Sequence, residues 1–135
     1  MKLIIMVGLP RSGKSTWARK TGNPIVSLDA VQYAVCGKHL KRLPEFMCMC
    51  DTLAEYMIKA LFHAGHDTVI LDDCNPTRYD QNIWEEFCHE NEYEYKFQYI
   101  NTPSTVCMHR AEGFKNADWL IPLILQMEKE IEYDK

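Results

Sequence analysis

The sequence predicts an α/β fold built on a mostly parallel sheet of four to five strands, and three observations support this prediction. Short apolar runs recur along the chain, each of the length of a buried strand. The segments between them carry helix-start signals or apolar residues at three- and four-residue steps. No repeat, linker or Ser/Gly-rich stretch divides the 135 residues, so we expect one domain over positions 1–135.

Four segments are predicted as strands. They cover positions 3–7, 25–27, 68–71 and 93–100. The first and third are continuous apolar runs, which suit strands that are covered on both faces of a parallel sheet. The fourth alternates strictly, which predicts a strand with one wetter face. In sheets of this type, ligands bind at the carboxyl ends of the strands.

Helices are predicted between and after these strands. They begin near Lys14, Ala30, Pro44 and Asn75, and two more cover positions 102–110 and 121–132. The helix after Pro44 is the longest and ends near position 65. Its predicted amphipathic stripe comprises Phe46, Cys50, Leu53, Met57 and Leu61. Asn75, with the proline that follows it, predicts an N-cap and a first helical position.

Composition and charge exclude several classes of protein. Hydrophobic residues are 47% and charged residues 25% of the chain, which is ordinary for a globular protein and excludes disorder. The net charge of -4 argues against coating duplex nucleic acid by bulk charge, although a local basic cleft is compatible with it. No apolar run is long enough to span a bilayer, and no signal peptide is recognisable. The six cysteines lack zinc-ligand spacing, so we expect reduced thiols in a cytoplasmic protein.

A phosphate-binding motif follows the first predicted strand. Positions 8–16 match G-x-x-x-x-G-K-[ST] in full, between a predicted strand and a predicted helix. Gly8 and Gly13 allow the backbone to form a nest of N–H donors, and the helix N-terminus adds partial positive charge. Lys14 is expected to reach the β- and γ-phosphates, and the Ser15 hydroxyl to bind Mg²⁺. The predicted nucleotide contacts are Gly8, Pro10, Arg11, Ser12, Gly13, Lys14, Ser15 and Thr16.

This motif predicts a three-layer P-loop NTPase fold that binds a nucleoside triphosphate with magnesium. A signalling GTPase is excluded because the chain lacks the guanine-reading N-K-x-D string. A large oligomeric motor ATPase needs a longer chain than this. A small P-loop phosphotransferase fits best, so ATP and Mg²⁺ are the expected cofactors.

Carboxylates follow two further predicted strands. Asp29 comes after the second strand, where it could accept the proton of an attacking hydroxyl or cap the helix that follows. Asp72 and Asp73 close the third strand in the manner of a Walker-B sequence. One of them could hold a magnesium-bound water or orient the acceptor. The predicted metal-binding residues are Ser15 and Asp72.

Together these motifs resemble the phage-type polynucleotide 5′-hydroxyl kinases and their P-loop kinase relatives, which include the zeta-toxin-like kinases. The resemblance covers nearly the whole chain. The phosphate loop is specific for the superfamily, and the later strings are moderately specific for this branch. The matching strings lie at positions 8–18, 29, 69–78, 107–110 and 121–127.

The resemblance implies roles for individual residues. Asp29 matches the general base that activates a 5′-hydroxyl, and Asp73 matches the carboxylate on the acceptor side. Arg110 matches the first lid arginine, which stabilises charge on the transferring phosphoryl group. The predicted catalytic residues are Lys14, Asp29 and Arg110. The predicted substrate contacts are Asp73, Gln32, Asn75 and Arg78.

The implied acceptor is the 5′ end of DNA or RNA, but the chain departs from the family's pattern at two positions. Gln32 stands where the family has an arginine that grips the acceptor's 3′-phosphate. Phe114 stands where the family has its second lid arginine, and Lys115 is the nearest cation. The alternatives are a kinase for a nucleoside, a sugar nucleotide or a modified-base hydroxyl, and a nucleotide-binding regulatory module. The oligomeric state stays open.

Three other features have a simpler interpretation. The basic run at positions 38–42 could track a nucleic-acid backbone or form a solvated loop. Trp17, Trp84 and Trp119 are interpreted as core or sheet-face packing, not as base-stacking platforms. Cys74, beside Asp73, is interpreted as a small packing residue at the site.

Overall fold

The computed structural model describes residues 1–36, 44–113 and 117–131, and within them the predicted alternation of strands and helices is confirmed. The basic run and Phe114 with Lys115 lie outside the described residues. The elements, in chain order, are β1 (Lys2–Gly8), α1 (Lys14–Lys20), β2 (Ile25–Ser27), α2 (Leu28–Cys36), α3 (Pro44–His63), β3 (Thr68–Asp72), α4 (Arg78–Glu90), β4 (Glu94–Ile100), α5 (Ser104–Ala111) and α6 (Ala117–Glu130).

The four described strands form one parallel sheet in the order β2-β3-β1-β4. This confirms the predicted fold class. β1 lies at the centre, between β3 and β4. All four strands run in the same direction, so their carboxyl ends, and the loops that follow them, meet at one edge.

The sheet is covered on both faces, as the apolar run of β1 predicts. Leu3 and Ile5 point to one face, where they join a core cluster with side chains of α2, α3 and α4. Ile4 and Met6 point to the other face, where they pack with Ala18 of α1. This alternation gives the three layers of the fold, with α3 and α4 on one side of the sheet and α1 on the other.

Helices α5 and α6 form a third cluster at the carboxyl edge of the sheet. Cys107 and Ala111 of α5 pack against apolar residues of α6. Leu9, just after β1, and Cys74, just after β3, belong to the same cluster. The helix pair is therefore anchored on the loops that carry the predicted chemistry.

The predicted apolar stripe of α3 is wrong in its central positions. Leu53 and Met57 are 38% and 45% exposed. The fully buried positions are Cys50, Ala54 and Ile58, one step around the helix. Two apolar stripes compete along this helix, and the one that contains Cys50, Ala54 and Ile58 packs in the core against the sheet.

Three helix starts also differ from their predictions. The N-cap of α4 is Thr77, which forms a capping box with Asp80, so Asn75 is not the cap. The second helix begins at Leu28 instead of Ala30, and the Ser27 hydroxyl accepts a hydrogen bond from the Ala30 N–H at 3.2 Å. The last helix begins at Ala117, earlier than predicted. In the first two cases, the position of a side chain that accepts a hydrogen bond from the first turn sets where the helix begins.

Within the described ranges, no helix combines the length and hydropathy of a membrane-spanning segment. The five cysteines whose side chains are described are thiols.

Candidate functional site

The phosphate loop joins β1 to α1 and depends on two glycines. A Cβ at Gly8 would lie 2.8 Å from the Ser12 Oγ and 3.1 Å from the Ile100 carbonyl oxygen. Gly13 has a φ of 102°, a conformation that other residues rarely adopt. The motif glycines therefore let the loop fold tightly over the end of the sheet.

Short hydrogen bonds hold the loop in this shape. The Ser12 N–H donates to the Leu9 carbonyl oxygen at 3.1 Å. The Lys14 ammonium donates to the same carbonyl at 2.7 Å, and the side chain is only 8% exposed. Since an ammonium has three donors, the remaining ones can be directed at phosphate oxygens.

Residues after β4 hold the loop from outside. Thr102 donates its hydroxyl to the Ser12 carbonyl oxygen at 2.6 Å. Arg110, on α5, donates to the Arg11 carbonyl oxygen at 3.0 Å, which places its guanidinium beside the loop. The sequence prediction included Arg110 but missed Thr102, because no motif spacing connects that residue with a loop ninety positions earlier.

Ser15 and Asp72 meet at the start of α1. The Ser15 hydroxyl donates to Asp72 Oδ2 at 2.6 Å. A hydroxyl and a carboxylate are the oxygen ligands that Mg²⁺ prefers when a nucleotide and water supply the others. No cluster of three His, Cys, Asp or Glu residues that could hold a metal occurs in the described part of the chain. The pair thus fits a nucleotide-bound Mg²⁺ better than a metal held by the protein alone.

A cavity of about 1220 Å³ gathers most of the predicted site residues. From the loop and α5 it is lined by Pro10, Arg11, Ser12, Gly13, Lys14, Ser15, Thr16 and Arg110. From the ends of β2 and β3 it is lined by Asp29, Gln32, Asp72, Asp73 and Cys74. Residues distant in sequence thus meet above the carboxyl edge of the sheet, as the fold predicts.

The residues after β2 lie in the first turns of α2. Asp29 is exposed to the cavity and does not cap the helix, since Ser27 takes that role. Gln32 is buried, and its amide donates to the Met47 sulfur at 3.1 Å. At the end of β3, Asp73 Oδ1 accepts a hydrogen bond from the Cys74 N–H at 2.8 Å.

Two predicted substrate contacts do not line the cavity. Asn75 is 2% exposed and donates its amide to the Met6 carbonyl oxygen at 2.9 Å. Its φ of 46° is a conformation that asparagine tolerates better than most residues. Arg78 is exposed at the start of α4, outside the cavity lining. Asn75 thus supports the β3–α4 loop instead of facing a substrate.

One wall of the cavity was not predicted. Trp119, Leu120, Pro122, Leu123 and Gln126 of α6 line it, and all of them except Leu120 lie at the spacing of a single helix face. Trp119 is 43% exposed, so its interpretation as core packing is wrong. Trp84 is buried as expected, and Trp17 packs partly against the α1 side of the sheet.

Charge divides the described lining of the cavity into two halves. All of its cations come from the phosphate loop, α1 and α5: Arg11, Lys14, Arg19, Lys20 and Arg110. Its carboxylates follow β2 and β3: Asp29, Asp72 and Asp73. The first half suits the phosphates of a nucleotide, and the second half suits a hydroxyl that must lose a proton.

A further carboxyl lies near Asp73. Burial, and then the nearby charges of Asp73, Glu55 and Asp80, raise the pKa of Asp51, on α3, to about 6. Asp51 is not part of the described cavity lining. It adds negative charge near Asp73 once it ionises.

Comparison with known protein families identifies the chain. The model of the AAA_33 family, described as an AAA domain, matches residues 3–117. The chain belongs to this family. The match spans the phosphate loop, both groups of carboxylates and Arg110, so the AAA domain contains the whole catalytic set that the motifs predict. No curated protein matches the chain.

Solved structures show the same fold as this AAA domain. A Pnkp1/Rnl/Hen1 complex is similar at 27% identity and a TM-score of 0.66, over 81% of this chain and 38% of that chain. A second structure, of the Pnkp1/Rnl/Hen1 RNA repair complex, has 21% identity and a TM-score of 0.68, over 98% and 47%. The APS kinase CysC of Mycobacterium tuberculosis, in complex with AMPPNP and APS, has 16% identity and a TM-score of 0.65, over 83% and 69%.

These matches confirm the predicted resemblance to polynucleotide kinase-like P-loop kinases. The AAA domain has a P-loop kinase-like fold with kinases among its structural neighbours. It spans less than half the length of the chains that it matches in the two Pnkp1/Rnl/Hen1 complexes.

Proposed function

We propose that this domain is an ATP- and Mg²⁺-dependent kinase that transfers the γ-phosphate of ATP to the 5′-hydroxyl of DNA or RNA. The observation that carries the proposal is that Lys14, the Ser15–Asp72 pair, Arg110 and Asp29 line one cavity. The likeness to a chain of a Pnkp1/Rnl/Hen1 complex supports a nucleic-acid acceptor, since a second structure is described as that RNA repair complex. We further propose that residues 1–135 act as one domain, in the cytoplasm, where its thiols stay reduced.

The cationic half of the cavity would bind the triphosphate. Backbone N–H groups of the phosphate loop would donate to phosphate oxygens, and the N-terminus of α1 would add its partial positive charge. Lys14 is buried beside the loop, so its charge is weakly screened where the γ-phosphate would lie. Ser15 and Asp72 would hold the Mg²⁺, which neutralises charge on the β- and γ-phosphates when it is bound.

Asp29 is the proposed general base. It accepts the proton of the acceptor hydroxyl while that oxygen forms a bond to the γ-phosphorus. The bond between that phosphorus and the β–γ bridging oxygen breaks at the same time, and ADP leaves with the electron pair. Asp29 suits this role because it is exposed to the cavity and does not cap its helix.

Arg110 and Asp73 would position the two reacting groups. The hydrogen bond from Arg110 to the Arg11 carbonyl oxygen holds the guanidinium beside the loop, where negative charge spreads over the transferring phosphoryl group. Asp73 is held by the Cys74 N–H on the acceptor side, where a carboxylate can accept a hydrogen bond from a sugar hydroxyl.

A smaller acceptor is the second candidate, and Gln32 is the observation that favours it. The Gln32 amide is buried and donates to Met47, in a place where a phosphate clamp would require a cation. Among the described residues that line the acceptor half, none is lysine or arginine. A nucleoside, a sugar nucleotide or a hydroxyl on a modified base would not need that clamp.

Transfer of labelled γ-phosphate from ATP to a panel of acceptors tests the proposal. The panel contains 5′-hydroxyl oligonucleotides of DNA and RNA, a nucleoside 3′-monophosphate, nucleosides and modified-base DNA. We expect transfer to the oligonucleotides, with Asp29→Asn lowering kcat by about 10²–10⁴-fold. Asp67→Asn, an exposed aspartate at the opposite edge of the sheet, is the matched control and should keep wild-type rates.

The other outcomes separate the candidates. Transfer to nucleosides but not to oligonucleotides would favour the smaller acceptor. Nucleotide binding without transfer to any acceptor would contradict a kinase and point to a regulatory module. Wild-type transfer by Asp29→Asn would show that another group removes the proton.

A further inference from the structure

One face of α6 forms a neutral wall of the cavity. Trp119, Pro122, Leu123 and Gln126 occupy positions i, i+3, i+4 and i+7, so they lie on one side of the helix. The adjacent face is the buried one, since Leu120, Ile124 and Met127 join the core cluster with Leu9 and Cys74. The wall is thus fixed by packing on its back, and it presents an indole at its exposed front.

The packing of α6 indicates where this wall stands in the cavity. Helix α6 packs on Cys74, which follows Asp73 at the end of β3, and also on Leu9 of the phosphate loop. The wall therefore borders the acidic half of the cavity at Asp73, beside the loop that would hold the transferring phosphate.

The chemistry of this wall suits a nucleobase better than a phosphate. The described cavity residues from α2, the β3–α4 loop and α6 include carboxylates, amides and apolar groups but no lysine or arginine. Gln32 adds a buried amide on the same side. A neutral, flat ring with polar edges can stack on an indole and exchange hydrogen bonds with amides, whereas a phosphate would find no counter-charge there.

We propose that Trp119 is a substrate-binding residue that stacks on the base of the acceptor's first nucleotide, with Gln126 beside it as a hydrogen-bonding group. The inference rests on the proposed function. It assigns recognition of the acceptor to a base-stacking contact instead of a cationic clamp on the 3′-phosphate. It makes the first base, and not the first phosphate, the main determinant of acceptor binding at this site.

Steady-state kinetics with two matched acceptors tests this role. The acceptors are 5′-hydroxyl oligonucleotides that differ only in a normal or an abasic first nucleotide. Trp119→Ala should raise the KM for the normal acceptor by about 5- to 150-fold, the range for loss of one base–aromatic stack. The KM for the abasic acceptor and the KM for ATP should stay within about twofold of wild type. Trp119→Phe should restore most of the loss, because a smaller ring still stacks.

A control variant and an optical signal separate stacking from a general effect on α6. Leu125 is 43% exposed on the same helix but does not line the cavity, so Leu125→Ala should leave both KM values unchanged. Binding of the normal oligonucleotide should quench tryptophan fluorescence in wild type, and most of that quench should be missing in Trp119→Phe.

Three results would overturn the inference. If Trp119→Ala raises the KM for ATP and not that for the acceptor, the indole serves the donor nucleotide. An equal effect on normal and abasic acceptors would mean that it contacts no base. Failure of the wild-type chain to phosphorylate any hydroxyl would contradict the proposed function and this inference with it. If the wild-type chain transfers phosphate normally and Trp119→Ala has the same KM for the normal acceptor, this inference alone is contradicted.

Discussion

At the scale of single residues, the phosphate loop is limited by the space around its first glycine. The loop passes over the end of β4 so closely that the Ile100 carbonyl oxygen would lie 3.1 Å from a Cβ at Gly8. That oxygen belongs to the backbone of the sheet and cannot move aside. The loop's shape therefore depends on the absence of a side chain at Gly8 as well as on the hydrogen bonds of Ser12 and Lys14.

Gly8→Ala should weaken both the fold and nucleotide binding. The added methyl group meets the Ser12 Oγ at 2.8 Å, so the loop must shift. We expect a loss of about 1–3 kcal/mol in the free energy of unfolding, the usual cost of overpacking, and a lower affinity for ATP. Urea unfolding and calorimetric titration with Mg·ATP measure the two effects.

Gly113→Ala is the control for this change, because its Cβ would come no closer than 3.9 Å to the Arg110 carbonyl oxygen. If Gly8→Ala unfolds and binds ATP as the control does, the steric account of the loop is wrong.

Asp51 gives a residue-scale prediction about pH. Its pKa is about 6 in the folded protein and 3.8 when unperturbed, chiefly through burial and then through repulsion by Asp73, Glu55 and Asp80. The folded state therefore binds this proton more tightly than the unfolded state. The contribution of Asp51 to stability is full below about pH 4 and is lost as the pH rises through about 6.

Replacing Asp51 by asparagine should remove this pH dependence. We expect Asp51→Asn to raise the Tm relative to wild type above pH 6, with little difference near pH 4, because the amide resembles the protonated acid. Thermal unfolding of both proteins between pH 4 and pH 8 measures the difference. An equal shift in Tm at all pH values would contradict the assignment of the raised pKa to Asp51.

At the scale of elements, α3 is held to the sheet by one stripe of its surface. Cys50, Ala54 and Ile58 are fully buried, and Phe62 closes the stripe near the helix end. The neighbouring side chain Met57 is 45% exposed although it is equally apolar. Burial, not hydrophobicity alone, decides which of these side chains stabilise the helix.

Truncating two adjacent residues of α3 should therefore have unequal effects. Ile58→Ala is expected to lower the free energy of unfolding by about 2–5 kcal/mol, because it leaves a cavity in the core. Met57→Ala is expected to change it by about 0.5 kcal/mol or less, as for most surface substitutions. Equilibrium unfolding in urea compares them, and equal losses would contradict the observed orientation of α3.

The β3–α4 connection is the second element that positions the site. The Gly8 N–H donates to the Cys74 carbonyl oxygen at 3.1 Å, and Asn75 donates to the Met6 carbonyl oxygen at 2.9 Å. Gln81 of α4 donates to the Asn75 carbonyl oxygen at 3.1 Å. These bonds tie the loop that carries Asp73 to the strand that leads into the phosphate loop, so both halves of the cavity share one support.

At the scale of the whole molecule, the fold gathers two kinds of charge around one cavity. The ends of β2 and β3 contribute the carboxylates, and the phosphate loop, α1 and α5 contribute the cations. In the proposed reaction the cations would bind phosphate groups and the carboxylates would face the acceptor hydroxyl. Helix α6 bridges the two by packing on Leu9 and Cys74 together.

Binding of Mg·ATP should stabilise the whole domain. At a ligand concentration of 100 times Kd, we expect the free energy of unfolding to rise by about 2.7 kcal/mol, because only the folded state carries the site. Thermal unfolding with and without Mg·ATP measures the shift. Addition of EDTA should reduce the shift, since it would remove the Mg²⁺ that we propose Ser15 and Asp72 hold with the nucleotide.

Lys14→Met should reduce this stabilisation, because it removes the buried ammonium beside the loop. If Mg·ATP leaves the Tm of the wild-type protein unchanged, nucleotide binding in this cavity is contradicted.

The local features of this protein could be predicted from the sequence because their causes are local. The phosphate loop needs contiguous residues, and the strands of a parallel sheet are short apolar runs, so positions 8–16 and the four strands were predicted where they lie. Asp29, Asp72 and Asp73 could be placed at the site because carboxyl ends of parallel strands meet at one edge. The direction of the strands and the chemistry of the side chains are enough to predict these positions.

Tertiary structure alone decided the contacts between distant segments. Asn75 follows a strand end as a substrate contact would, but its amide is used by the Met6 carbonyl oxygen. Thr102 reaches the phosphate loop across ninety positions of sequence, and the α6 wall reaches the cavity because α5 and α6 pack on Leu9 and Cys74. The sequence by itself determined the phosphate-binding loop, which nine contiguous residues encode, whereas the packing of α5 and α6 on loops distant in sequence determined the wall that α6 forms in the cavity.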